Sequence, residues 1–151
     1  MNVQAIIEMP SNVTYKYEIS TWNGDLILDR PLQLQVPFNY GFVPNTLAPD
    51  GDPLDIFVAS AHPIFPKARV TAKVLGVFKC TDQGVSDDKL VAVLSGEWHN
   101  VDPETESGIL NLIEYYLKNY KAGFEVQGYQ RESDAKAALD TALVAYGTAN
   151  R

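Results

Sequence analysis

The sequence predicts an α+β fold, mainly β, in which a small barrel carries two helices packed outside it near the C-terminal end. Three observations predict it. Short apolar or alternating runs separated by turn residues fill the first two thirds, and the period becomes helical after Asp102. The 151 residues, 46% hydrophobic and 21% charged, also suit one domain over 1–151 with a core of its own.

The elements follow in order. Val3 to Met9 is a short apolar run, and Thr14 to Ile19 alternates aromatic and β-branched residues, so both read as strands. Trp22-Asn23-Gly24-Asp25 comes next; Asn-Gly between two such runs predicts a hairpin, with Leu26 to Leu28 as the return strand. Pro37 to Pro49 holds three prolines with Asn39, Gly41 and Asn45, and reads as an ordered loop rather than an element. Ile56 to Ala59, Arg69 to Cys80 and Leu90 to Leu94 read as further strands, with Thr81 to Asp88 as a polar turn. Asp102 is a good N-cap with Pro103 at the first helical position. Ile109, Leu110, Leu112, Ile113, Tyr116, Leu117 and Tyr120 then give an apolar stripe that Gly123 can close. Phe124 to Gly128 reads as a last strand. Ser133 caps a second helix with Ala135, Ala138, Leu139, Ala142, Leu143 and Tyr146 inward and Gly147 at its end.

Composition excludes several classes. A net charge of −7 argues against nucleic acid as a partner, because phosphate backbones need a basic face. No apolar run reaches the roughly 18 to 20 residues of a membrane span. Met1 to Glu8 lacks the basic and apolar pattern of a signal peptide, and a single cysteine, Cys80, suits a reducing cytoplasm. Cys80 lies in a strand run and reads as a packed core thiol rather than a nucleophile.

The densest chemical signal is Asp50-Gly51-Asp52-Pro53-Leu54-Asp55, three carboxylates in six residues just before the apolar Ile56-Phe57-Val58. Such carboxylates repel one another unless a positive charge sits between them. Oxygen donors without nearby Cys or His suit Mg²⁺ or Mn²⁺ rather than zinc. Gly51 allows a tight turn and Pro53 stiffens it. A solvated acidic turn is the plain alternative. An EF-hand calcium loop fails, since Leu54, Asp55 and Ala61 stand where a ligand, the glycine and the closing glutamate belong. The second acidic run, Asp82 to Lys89, carries weight only if it faces the first.

Asp50-Gly51-Asp52-Pro53-Leu54-Asp55-Ile56 resembles the signature of the soluble family I inorganic pyrophosphatases. Ile7-Glu8-Met9-Pro10, Tyr15-Lys16-Tyr17-Glu18, Asp29-Arg30, Asn39-Tyr40-Gly41-Phe42, Gly76-Val77-Phe78-Lys79, Lys89 to Val93 and Asn119-Tyr120-Lys121 resemble its other segments, in the family's order. The resemblance implies a five-stranded OB-like β-barrel flanked by two C-terminal helices, and Mg²⁺-dependent hydrolysis of pyrophosphate to two phosphates. By position, Asp50, Asp55 and Asp87 would hold the tightest metal. Asp55 would bridge to a second, and Asp82 with Asp87 would hold one arriving with substrate. Glu8 and Glu18 would act at the edge of the site. Lys16, Arg30, Lys89, Tyr120 and Lys121 would grip phosphate oxygens, Tyr40 would hydrogen-bond near the nucleophile, and Asp52 would accept its proton. Bacterial relatives are often hexamers, so a homo-oligomer is implied; no membrane or nucleic acid is.

Departures from the family's pattern accompany these matches. Val36 stands before Pro37, where relatives carry a tyrosine touching the phosphate site. The segments between Arg30 and Pro37 and between Ser95 and Gly108 are short, and Lys121 lacks the basic residues that follow it in many relatives. Weaker substrate contacts, or a retuned pH and metal optimum, are the expectation. His62 and His99 match no catalytic position. The rival readings are a relative that binds without turnover, a single-strand-binding module, and a phosphatase for other phosphoesters. The acidic balance opposes the second.

Overall fold

The computed structural model describes residues 1–98 and 101–150. The chain forms β1 (Asn2–Met9), β2 (Tyr15–Ile19), β3 (Leu26–Pro31), β4 (Asn39–Phe42), β5 (Asp55–Ala59), β6 (Arg69–Asp82), β7 (Val85–Ser86), β8 (Lys89–Leu94), α1 (Pro103–Lys118), β9 (Phe124–Arg131) and α2 (Glu132–Ala149). The strands β1, β4, β5, β8 and β6 pair in that order, and β1 also pairs with β6, so these five close on themselves in a ring. Their pairings are antiparallel except β5 with β8, which is parallel. Strands β7 and β9 extend the sheet from β6, while β2 and β3 form a separate ribbon. The mainly-β, α+β architecture with two C-terminal helices is the predicted one.

Burial explains why the central strands read as unbroken apolar runs. Ile56 and Val58 of β5 enter one cluster, with Leu90, Ala92 and the Ala135, Leu139 and Ala142 face of α2. Phe57 and Ala59 enter a second, with Val91, Val93 and the Ile109, Ile113, Tyr116 and Leu117 face of α1. The period of two thus sends alternate residues of one strand to opposite cores. Burying a side chain such as Phe57 contributes about 1.5–3 kcal/mol.

Several expectations are corrected. The segment 37–49 is not all loop, because β4 lies inside it. Asn39 is fully buried and supplies the order: its amide donates to Val58 O and Ser60 Oγ and accepts from the Ser11 and Ile64 amides. Thr81 to Asp88 contains the short strand β7 around the turn at Gln83 and Gly84. Asp102 caps α1 as expected, accepting from Thr105 N, but Asn119 and not Gly123 ends it. Gly123 instead makes the turn into β9 at φ 81°. Leu112 and Leu143 are exposed, outside the helix faces that bury Ile109, Ile113, Tyr116 and Leu117 on α1 and Ala135, Leu139 and Ala142 on α2. Ser133 lies within α2, whose N-cap position is Arg131 without a side-chain bond; β9 enters the helix with no linker. Gly147 lies inside α2 as well. Among the described residues no helix is long and apolar enough to cross a membrane. His99 lies outside the described residues.

Gly41 marks a close approach of two backbones. A Cβ there would lie 1.9 Å from Ile6 O, which belongs to a paired strand and cannot give way. Gly41→Ala is therefore expected to cost at least about 3 kcal/mol, the upper end for overpacking. A urea-unfolding midpoint unchanged from the wild type would refute this.

Candidate active site

Strand starts bring the acidic residues together. The chain turns at Gly51, where φ is 90°, held by Ala48 N donating to Asp52 O (2.8 Å) and Asp52 N donating to Asp50 Oδ1 (3.0 Å). It then enters β5 at Asp55. Parallel pairing places Asp55 opposite Lys89, the first residue of β8, with Asp87 two residues earlier. The Lys89 ammonium, nearly buried, lies 2.5 Å from Asp55 Oδ2 and 2.9 Å from Asp87 Oδ1, and donates to Tyr40 Oη at 2.9 Å. Tyr40 is seated by β4–β5 pairing and an edge contact with Phe57 at 4.9 Å.

The β2–β3 ribbon supplies one wall. Lys16 and Arg30 face each other across it, and Asp29 Oδ2 lies 3.6 Å from Lys16 Nζ and 3.1 Å from Arg30 Nη1. Lys16 thus pairs with Asp29. Arg30 Nη2 donates to Tyr120 Oη at 2.8 Å, just beyond the end of α1. Glu8 on β1 accepts from Ile19 N at 2.7 Å, tying the ribbon to the ring. Opposite, Lys121 Nζ lies 2.8 Å from Asp82 Oδ2, and Gln83 N donates to Gly123 O to hold the two turns together.

These groups enclose one cleft of about 160 Å³. Glu8, Glu18, Asp50, Asp52, Asp55, Asp82 and Asp87 line it, against Lys16, Lys89 and Lys121, so negative charge exceeds positive. Burial, with Asp55 and Glu18 nearby, pushes the Glu8 carboxyl up to about 7 despite its bond from Ile19. Burial also raises Asp55 against the pull of Lys89, and raises Asp50 and Tyr40. Burial alone would lower Lys89, but Asp55 and Asp87 outweigh it and hold the ammonium charged.

The donor set fits a hard divalent cation. It is all oxygen, it is electrostatically frustrated, and Asp82 Oδ1 is buried with no hydrogen-bond partner among the described residues. No three of His, Cys, Asp or Glu already converge as a metal-holding group among the described residues; Lys89 stands between two of the carboxylates instead.

Every site residue picked out in the sequence lines this cleft except Arg30, which joins it through Tyr120. Sequence reasoning overlooked Asp29 as the partner of both Lys16 and Arg30; its place beside Arg30 was the available signal. It also passed over Ile19, Thr21, Phe42 and Pro53 in the lining. Asp88, next to Asp87, turns away to Lys79 (2.5 Å) and Cys80 N. Cys80 is a buried thiol pushed up to about 12 by burial, as a core residue should be. Val36 is fully buried in the core against α1 and His62 is outside the cleft lining.

Comparison with known proteins gives a consistent result. A family model described as inorganic pyrophosphatase matches residues 5–146. An inorganic pyrophosphatase of Pseudomonas aeruginosa is 35% identical over 96% of this chain and 91% of its own. A soluble inorganic pyrophosphatase of Chlamydomonas reinhardtii is 39% identical over 93% of this chain and 72% of its own. Among solved structures, the inorganic pyrophosphatase of Thermus thermophilus superposes with a TM-score of 0.89 at 30% identity, covering 97% of this chain and 91% of that one.

Proposed function

The chain belongs to the inorganic pyrophosphatase family, hydrolases that split pyrophosphate into two phosphates, and on that premise we propose how its single domain, 1–151, does so with Mg²⁺. The observation that carries the reading is the cleft itself, where seven carboxylates meet three lysines and the Arg30–Tyr120 pair. Asp50, Asp55, Asp82 and Asp87 would hold the cations, with Glu8 and Glu18 at the rim. Bound Mg²⁺ would offset the charge of both substrate and carboxylates and lower the pKa of the attacking water.

The chain's own groups do the rest. Asp52 is exposed in the cleft, and among the described residues its carboxylate accepts no protein hydrogen bond, which leaves it free to accept the water's proton. Tyr40, anchored by Phe57 and Lys89, lines the same cleft. Lys16, Arg30, Lys89, Lys121 and Tyr120 are fixed donors for phosphoryl oxygens as charge develops on the leaving phosphate. Asp29 pairs with both Lys16 and Arg30 and so limits where their side chains can turn.

Phosphate release from pyrophosphate with Mg²⁺ and with EDTA, beside ATP and a simple phosphomonoester, tests the reading. Rapid release from pyrophosphate that EDTA abolishes is expected. Equal turnover of the phosphomonoester would show a general phosphatase, and no turnover with any divalent metal would defeat the enzymatic reading.

A further inference from the structure

Tyr116, on the buried face of α1, carries a hydroxyl that none of the roles above uses. The residue is 5% exposed and its Oη has no hydrogen-bond partner among the described residues. A hydroxyl buried in this way gives up its bonds to water with no return, so phenylalanine would be the easier residue to pack there. The surroundings show what the hydroxyl is near. Its ring stands edge-on to Phe57 at 6.2 Å and tilts against Tyr120 at 5.7 Å. Burial chiefly pushes this hydroxyl's ionisation up, with Tyr120 adding to it and the charges of Lys89 and Arg30 opposing it. Tyr116 is absent from the cleft wall, and its ring packs against Tyr120, the residue whose hydroxyl accepts from Arg30.

Tyr120 Oη accepts from Arg30 Nη2, and an Arg30 that turns to a phosphate oxygen leaves Tyr120 without its donor. We propose that Tyr116 is a positioning residue for pyrophosphate binding, its hydroxyl replacing Arg30 as the donor to Tyr120 Oη. A donor into that oxygen keeps Tyr120 in place and strengthens its own bond to phosphate. This rests on the pyrophosphate-hydrolysing reading of the cleft.

Tyr116→Phe tests it. The expected result is a KM for pyrophosphate raised about fivefold, as loss of one neutral hydrogen bond implies. kcat stays within about twofold, and the melting temperature is equal to or above that of the wild type. In a Tyr120→Phe background the same substitution adds nothing, because the donor has lost its acceptor. Calorimetric titration with inorganic phosphate and Mg²⁺ reads the same loss without turnover, which separates failure of this proposal from failure of the hydrolytic reading. Unchanged KM and phosphate affinity in Tyr116→Phe, or effects that add to those of Tyr120→Phe, would overturn it.

Discussion

Asp52→Asn is expected to lower kcat for pyrophosphate by about 10²–10⁴-fold, the range that positioned proton transfer contributes. The substitution is nearly isosteric at an exposed position, and the backbone bond from residue 52 to Asp50 Oδ1 does not need the Asp52 side chain. Folding stability should therefore stay within about 0.5 kcal/mol of the wild type. Asp50, Asp55 and Asp87 remain, so stabilisation by Mg²⁺ should persist, reaching about 2.7 kcal/mol at a hundredfold excess over the dissociation constant. A thermal-shift titration beside steady-state kinetics checks both halves. A variant that keeps wild-type kcat places the proton acceptor elsewhere. One that loses its response to Mg²⁺ shows Asp52 to be a ligand instead.

Lys89→Met combines a stability effect with a catalytic one. Its ammonium is the shared partner of Asp55 and Asp87, whose side chains are 20% and 10% exposed. Methionine fills similar volume but leaves two carboxylates close together without their cation. Breaking a buried pair in this way costs about 3–5 kcal/mol, equivalent to a fall of roughly 10 °C in melting temperature for a chain of this size. Added Mg²⁺ should return much of the loss, because the same carboxylates are the proposed cation ligands. Activity should stay about 10²–10³-fold down even in saturating Mg²⁺, the effect of removing one charge-stabilising donor from an active site. A variant as stable as the wild type in EDTA would show that Lys89 is no structural cation.

How far the chain alone could be read differs between particular elements. The β2–β3 ribbon, α1 and the strand β5 were legible because Asn23-Gly24, Asp102-Pro103 and Ile56-Phe57-Val58 are local signals. Strand β4 was not, because its order comes from a buried Asn39 bonded to residues 11, 58, 60 and 64. Prolines on either side made the stretch look like a loop. The site shows the same division. Asp50, Asp52 and Asp55 stand out as a dense acidic run, and Glu8, Lys16 and Tyr120 through their resemblance to family segments. Asp29 was passed over because its importance lies in reaching Lys16 across a hairpin whose register is irregular beside the Lys16–Arg30 pair.

Local chemistry along the chain was therefore enough for most element types and for the dense carboxylate run of the cleft, and the family was read from the resemblance of its segments. Closure of the five-stranded ring decided what those residues touch. Parallel pairing of β5 with β8 brings Asp55 to Lys89 from 34 positions away, and folding α1 against the second core carries Tyr120 to Arg30. Hydrophobic period is a property of neighbours along the chain. Register and closure are set by which buried faces must meet, and no short stretch of sequence contains that information.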